Sequence, residues 1–65
     1  MTKEIAKMLS QLEKKGCKIL NNGLIDIIDI SQANNLGNKS WGKIEYLSKN
    51  GFIIKNQKHD NDESE

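Results

Sequence analysis

The chain has 65 residues, 35% of them apolar, and three aromatics, Trp41, Tyr46 and Phe52. That is enough for one small hydrophobic core and too little for a multidomain enzyme; a domain of this size buries only about 60% of its unfolded surface, so its stability must rest on a few good contacts or on a partner. The formal charge of +1 conceals a division: residues 1–58 hold ten lysines against Glu4, Glu13, Asp26, Asp29 and Glu45, a net +5, whereas Asp60, Asp62, Glu63 and Glu65 give residues 59–65 a net −4.

A lone cysteine, Cys17, excludes an internal disulfide, and no apolar run is long enough for a membrane span. The first ten residues carry Lys3, Glu4 and Lys7 and do not resemble a secretory signal, so a reduced, cytoplasmic setting is expected. Residues 59–65 offer no apolar anchor and are expected to form a flexible acidic tail beside a domain spanning residues 1–58. The positive body can attract a polyanion, and the tail can weaken that attraction. Every fixed positive side chain is a lysine; lysine suits phosphate contacts, whereas arginine supplies the fork for bidentate guanine recognition.

Taken in chain order, Ile5, Met8, Leu9 and Leu12 recur at helical spacing and predict a first helix over about residues 3–15. Thr2 can cap it, Lys14 and Lys15 suit the negative end of its dipole, and Gly16 can end it. Cys17 to Leu20 form an edge strand or a connector, followed by the turn signal Asn22-Gly23. Leu24, Ile25, Ile27, Ile28 and Ile30 are too dense for strict strand alternation, and periodicity alone does not separate a buried strand from a buried helix. Asp26 or Asp29 as a cap points to a short second helix running through Ala33 and ending before Leu36. After Gly37, Asn38 or Ser40 can cap a third helix over about residues 40–50, with Trp41, Ile44 and Leu47 inward and Glu45 paired with Lys49. Gly51 closes it, and Phe52, Ile53 and Ile54 form a short strand.

Two helices separated by a glycine-containing turn give the arrangement of a helix-turn-helix. With Trp41 as the largest core residue, Lys39, Lys43, Tyr46 and Asn50 fall on the exposed face of the third helix at spacings of four, three and four. Lysines reach phosphates, the phenol donates or accepts, and asparagine can pair with adenine. The stretches Ile30-Ser31-Gln32-Ala33-Asn34-Asn35-Leu36-Gly37 and Trp41-Gly42-Lys43-Ile44-Glu45-Tyr46-Leu47-Ser48-Lys49-Asn50-Gly51-Phe52-Ile53 then resemble the winged helix-turn-helix DNA-binding family, over roughly residues 27–54. That resemblance implies a mainly α, three-helix domain with a minimal β wing, the third helix in the major groove of double-stranded DNA, and Lys39, Ser40, Lys43 and Tyr46 facing the duplex.

The expected function is accordingly a small transcriptional regulator, with Asn50 on the same face and Lys55 and Lys58 touching the adjacent backbone. A homodimer through the first helix would supply the contacts that one subunit lacks. The alternative is an adaptor or inhibitor that grips another protein, of the kind a virus or mobile element encodes; RNA or ribosome binding is a third class. No cofactor or metal is implied. Asp26 and Asp29 read as helix-start charges, His59 with Asp60 and Asp62 supports only adventitious metal contact, and Cys17 has no local histidine or second cysteine. The chain is therefore not expected to be an enzyme.

Overall fold

A computed structural model describes residues 2–57. Its elements are α1 (Lys3–Lys14), β1 (Lys18–Asn21), β2 (Asp26–Asp29), α2 (Asn38–Lys49) and β3 (Ile53–Lys55). The acidic tail expected over residues 59–65, and Lys58, lie outside the described residues.

Both helices end by the same local device. In α1, Thr2 caps the start, its Oγ1 accepting from the Ile5 N–H at 3.1 Å. At the other end the Gly16 N–H donates to the Glu13 carbonyl at 3.0 Å and the Cys17 N–H to the Leu12 carbonyl at 3.1 Å. In α2 the Gly51 N–H donates to the Ser48 carbonyl at 3.3 Å and the Phe52 N–H to the Leu47 carbonyl at 3.0 Å. These are paired Schellman closures, and each needs a residue in the left-handed region, supplied by Gly16 and Gly51 at φ +101. Each closure turns the next residue, Cys17 or Phe52, into the core and leads directly into a strand. The chain thus repeats one unit, Leu9-x-x-Leu12-x-x-x-Gly16-Cys17-x-Ile19 and Ile44-x-x-Leu47-x-x-x-Gly51-Phe52-x-Ile54.

The sheet has the order β1-β2-β3. β1 and β2 form an antiparallel hairpin with Ile19 opposite Ile28, and β2 pairs with β3 in parallel with Ile28 beside Ile54. The turn expected at Asn22-Gly23 is present and here closes a hairpin: Asn22 Oδ1 accepts from the Leu24 and Ile25 N–H groups at 2.9 and 3.0 Å, and Gly23 takes φ +87. Side-chain alternation puts Ile19, Ile28 and Ile54 on the face toward the helices. Leu12, Ile28 and Leu47, one from each helix and one from the central strand, are almost fully buried; Leu9, Cys17, Ile30, Ile44 and Phe52 complete the core. Leu20, Ile27 and Ile53 form a row on the outer face, where Leu20 and Ile53 are exposed.

The mainly α, three-helix prediction is wrong. The expected second helix is instead β2 followed by an irregular segment, because Ile27, Ile28 and Asp29 find strand partners at Ile53, Ile54 and Lys55. Ile28 is buried on the helix-facing side of β2 and Ile27 is half-buried on the other, so apolar residues occupy both faces and strict alternation is lost. The hairpin precedes α2 and is central to the fold, so it is no wing trailing a recognition helix. The prediction for the third helix corresponds to α2, which begins at Asn38 and has Gly37 as its N-cap in place of Asn38 or Ser40. Trp41 is 40% exposed and lies outside the core. The apolar face of α1 is spent on the core, with Leu9 and Leu12 buried and Ile5 and Met8 packed against them, so it is not the free self-association surface expected.

Asp29 fastens the end of β2. Its Oδ1 accepts from the Ser31 N–H at 2.9 Å. That bond foremost, then side-chain bonds from Asn56 and Ser31 and the nearby Lys18, lowers its carboxyl from the ordinary 3.8 to about 2. Because the folded value is depressed, the stabilisation is complete above about pH 4 and is lost as pH falls toward 2. Melting curves of Asp29→Asn should show lower stability than the parent at pH 7 and a smaller further loss between pH 4 and 2. A second expectation concerns Gly16, where an added Cβ would lie 2.6 Å from the Gln32 carbonyl oxygen. Gly16→Ala should therefore destabilise the domain by about 2 kcal/mol or more in denaturant titration.

Candidate functional site

The local closures of α1 determine where the most basic surface forms. The loop after β2 is tied to the end of α1: the Asn34 N–H donates to the Lys15 carbonyl at 2.8 Å, and Lys15 Nζ approaches the Asn35 carbonyl at 3.5 Å. Asn35 takes φ 57, and the chain then enters α2 at Gly37. The C-terminal end of α1 and the N-terminal end of α2 are thereby brought side by side. Between them lies a cleft of about 550 Å³ lined by Lys14 and Lys15 from α1 and by Lys39, Ser40 and Lys43 from α2, with Leu12, Asn35 and Gly37 also in its walls. Among the described residues no carboxylate lines it.

Two features set the start of α2 apart from that of α1. Gly37 has no side chain with which to cap, and the first turn carries no acidic residue, whereas α1 has Thr2 and Glu4. The opening amides of a helix have no intrahelical acceptor and carry the positive end of its dipole. Ser40, in that first turn, is only 7% exposed and lines the cleft, yet its hydroxyl has no hydrogen-bond partner among the described residues. A buried polar group left in this condition costs about 1–3 kcal/mol.

Of the residues expected to form the site, Lys39, Lys43, Tyr46 and Asn50 do lie together, along the flank of α2 beside the cleft. Lys39 is exposed, Lys43 half-buried and Tyr46 44% exposed. The Asn50 side chain donates to the Tyr46 carbonyl at 2.8 Å and so closes its own helix. Ser40 is buried in the cleft wall. Lys55 stands on the outer face of the sheet, in the row of Lys18 and Asp29, apart from the cleft. Trp41 occupies the other flank of α2, with Glu45 and Ser48. In the sequence Lys14 and Lys15 stand beside Gly16 at the end of a helix, where the dipole alone accounts for them, so nothing local marks them as ligand groups. The signal available was the second basic pair, Lys39 and Lys43, but nothing local shows that the two pairs meet.

The remaining chemical groups stay apart from this cleft. Burial, and secondarily the Asp29 charge, raise the Cys17 thiol above its ordinary value, which keeps it protonated at neutral pH. No group of three or more His, Cys, Asp or Glu residues among those described could hold a metal ion. No described helix is long and apolar enough to cross a membrane.

The fold is that of a small mixed α/β domain, two helices on a three-stranded sheet, broadly compatible with a helix-turn-helix-like arrangement. No family model, curated protein or solved structure matches the chain. With two helices and the hairpin ahead of α2, a third helix inserted into a major groove is excluded.

Because the Ser40 hydroxyl has no hydrogen-bond partner among the described residues, Ser40→Ala should fold normally and gain about 1 kcal/mol in denaturant titration.

Proposed function

We propose that this chain is a nucleic-acid-binding domain that holds the phosphates of a strand in the lysine-lined cleft, without placing a recognition helix in a groove. The observation that carries it is the convergence of Lys14, Lys15, Lys39 and Lys43, from two helices distant in sequence, on one concave surface that no carboxylate of the described residues lines. Such a concentration of like charge weakens the folded state through self-repulsion, and an anion relieves it. Ammonium groups on flexible stems suit phosphate oxygens, which present charge without demanding the planar geometry of a base edge. Lys39, Lys43 and Tyr46 extend the surface along α2, where a half-exposed phenol can stack on a base or bond a phosphate.

Four lysine contacts to a single strand predict a log–log salt slope of about −3. Fluorescence anisotropy with a labelled single-stranded oligonucleotide should show binding at low salt that weakens with this slope. Replacing Lys39 and Lys43 together, or Lys14 and Lys15 together, by alanine should weaken binding about tenfold and flatten the slope by about 1.4. Binding that ignores salt, or survives both double substitutions unchanged, would overturn the proposal.

A further inference from the structure

Resting on that phosphate-holding role, the geometry points to a more particular ligand: the cleft at the start of α2 is a site for a terminal phosphate monoester of a nucleic-acid strand. Three kinds of donor meet there. The first-turn amides of Asn38, Lys39 and Ser40 follow an N-cap without a side chain. The Ser40 hydroxyl is buried, lines the cleft and has no partner among the described residues. Lys14, Lys15, Lys39 and Lys43 line the same cleft. The helix start alone would be unremarkable, since every helix has one; the unpartnered buried hydroxyl in its first turn distinguishes it.

The donor set suits a monoester better than a diester. An internal phosphodiester presents two terminal oxygens and a single charge, and its chain leaves on both sides. A terminal monoester presents three oxygens and a charge of about −1.5 to −2, and its chain leaves on one side only. Leu12 and Ser40, both buried, are among the residues that line the cleft, and a terminal group, whose chain leaves on one side only, can approach that wall end-on. From there Lys39, Lys43 and Tyr46 run along the flank of α2 for about 10 Å and offer the adjoining nucleotides two charges and a ring. That continuation favours a nucleic-acid strand over a phosphorylated peptide.

The test uses the full chain and four labelled probes: one oligonucleotide sequence bearing a 5′-phosphate, a 3′-phosphate or no terminal phosphate, and a phosphoserine peptide. One or both phosphorylated strands should bind about tenfold tighter than the unphosphorylated strand. Ser40→Ala, shown by circular dichroism to be folded, should abolish that preference while retaining binding to the unphosphorylated strand. Lys39→Gln with Lys43→Gln should weaken all three strands. Inorganic phosphate titrated against the ¹⁵N-labelled chain should shift the amides of Asn38, Lys39 and Ser40, and unmoved amides count against the site. Equal, salt-sensitive affinity for all three strands overturns the terminal-phosphate site and leaves the backbone-binding role standing. Absence of binding to any strand at low salt overturns both. Tighter binding of the phosphoserine peptide than of either phosphorylated strand assigns the cleft to a protein ligand and overturns the proposal.

Discussion

The contact among Leu12, Ile28 and Leu47 is the constraint on which the rest depends. Each helix contributes the leucine that begins its Schellman closure, and the central strand contributes the isoleucine between them. Truncating a buried leucine typically costs about 2–5 kcal/mol, a large share of the stability of any small domain. The same closures that aim Leu12 and Leu47 inward also release Cys17 and Phe52 into the core and start the outer strands. Helix ending, core packing and strand entry are therefore one event repeated twice, and the two copies meet across β2.

The basic cleft follows from that packing. Once the two leucines share one core, the lysines that follow Leu12 at the end of α1 and those that flank Ser40 at the start of α2 must share one surface. The loop between β2 and α2 reinforces the approach through its bond to the Lys15 carbonyl. Four ammonium groups near the uncapped start of α2 form an arrangement that contributes little to stability and is well suited to an anion. Ser40 obeys the same logic, because burial without a hydrogen-bond partner costs the folded chain and offers a donor to a ligand.

The places where sequence reasoning succeeded and failed have distinct physical causes. Thr2, Gly16, Asn22, Gly23 and Gly51 perform the capping and turning expected of them, since the bonds concerned span at most five residues. The dense run from Leu24 to Ile30 does not by its periodicity separate strand from helix, and Asp26 or Asp29 as a cap points to a helix running towards Ala33. In the structure Asp29 accepts from the Ser31 N–H to shape the turn that leaves β2. Trp41 fits the helical phase of Ile44 and Leu47 loosely, and the smaller Ser40 takes the buried position while the indole remains at the rim. The lysine row on α2 was legible from spacing alone; its completion by Lys14 and Lys15 was not.

By itself the sequence determined the spans of α1 and α2 to within about two residues, the turn at Asn22-Gly23, the basic character of the body and the flank of α2 that carries Lys39, Lys43 and Tyr46. All of these rest on hydrogen bonds and periodicities internal to one segment. Only the tertiary structure decided that residues 26–29 are a strand, that the domain has two helices, and that two lysine pairs line one cleft around a buried serine. A strand acquires its identity from neighbours, here β1 and a β3 more than twenty residues further along, and a cleft exists only between surfaces that packing has brought together.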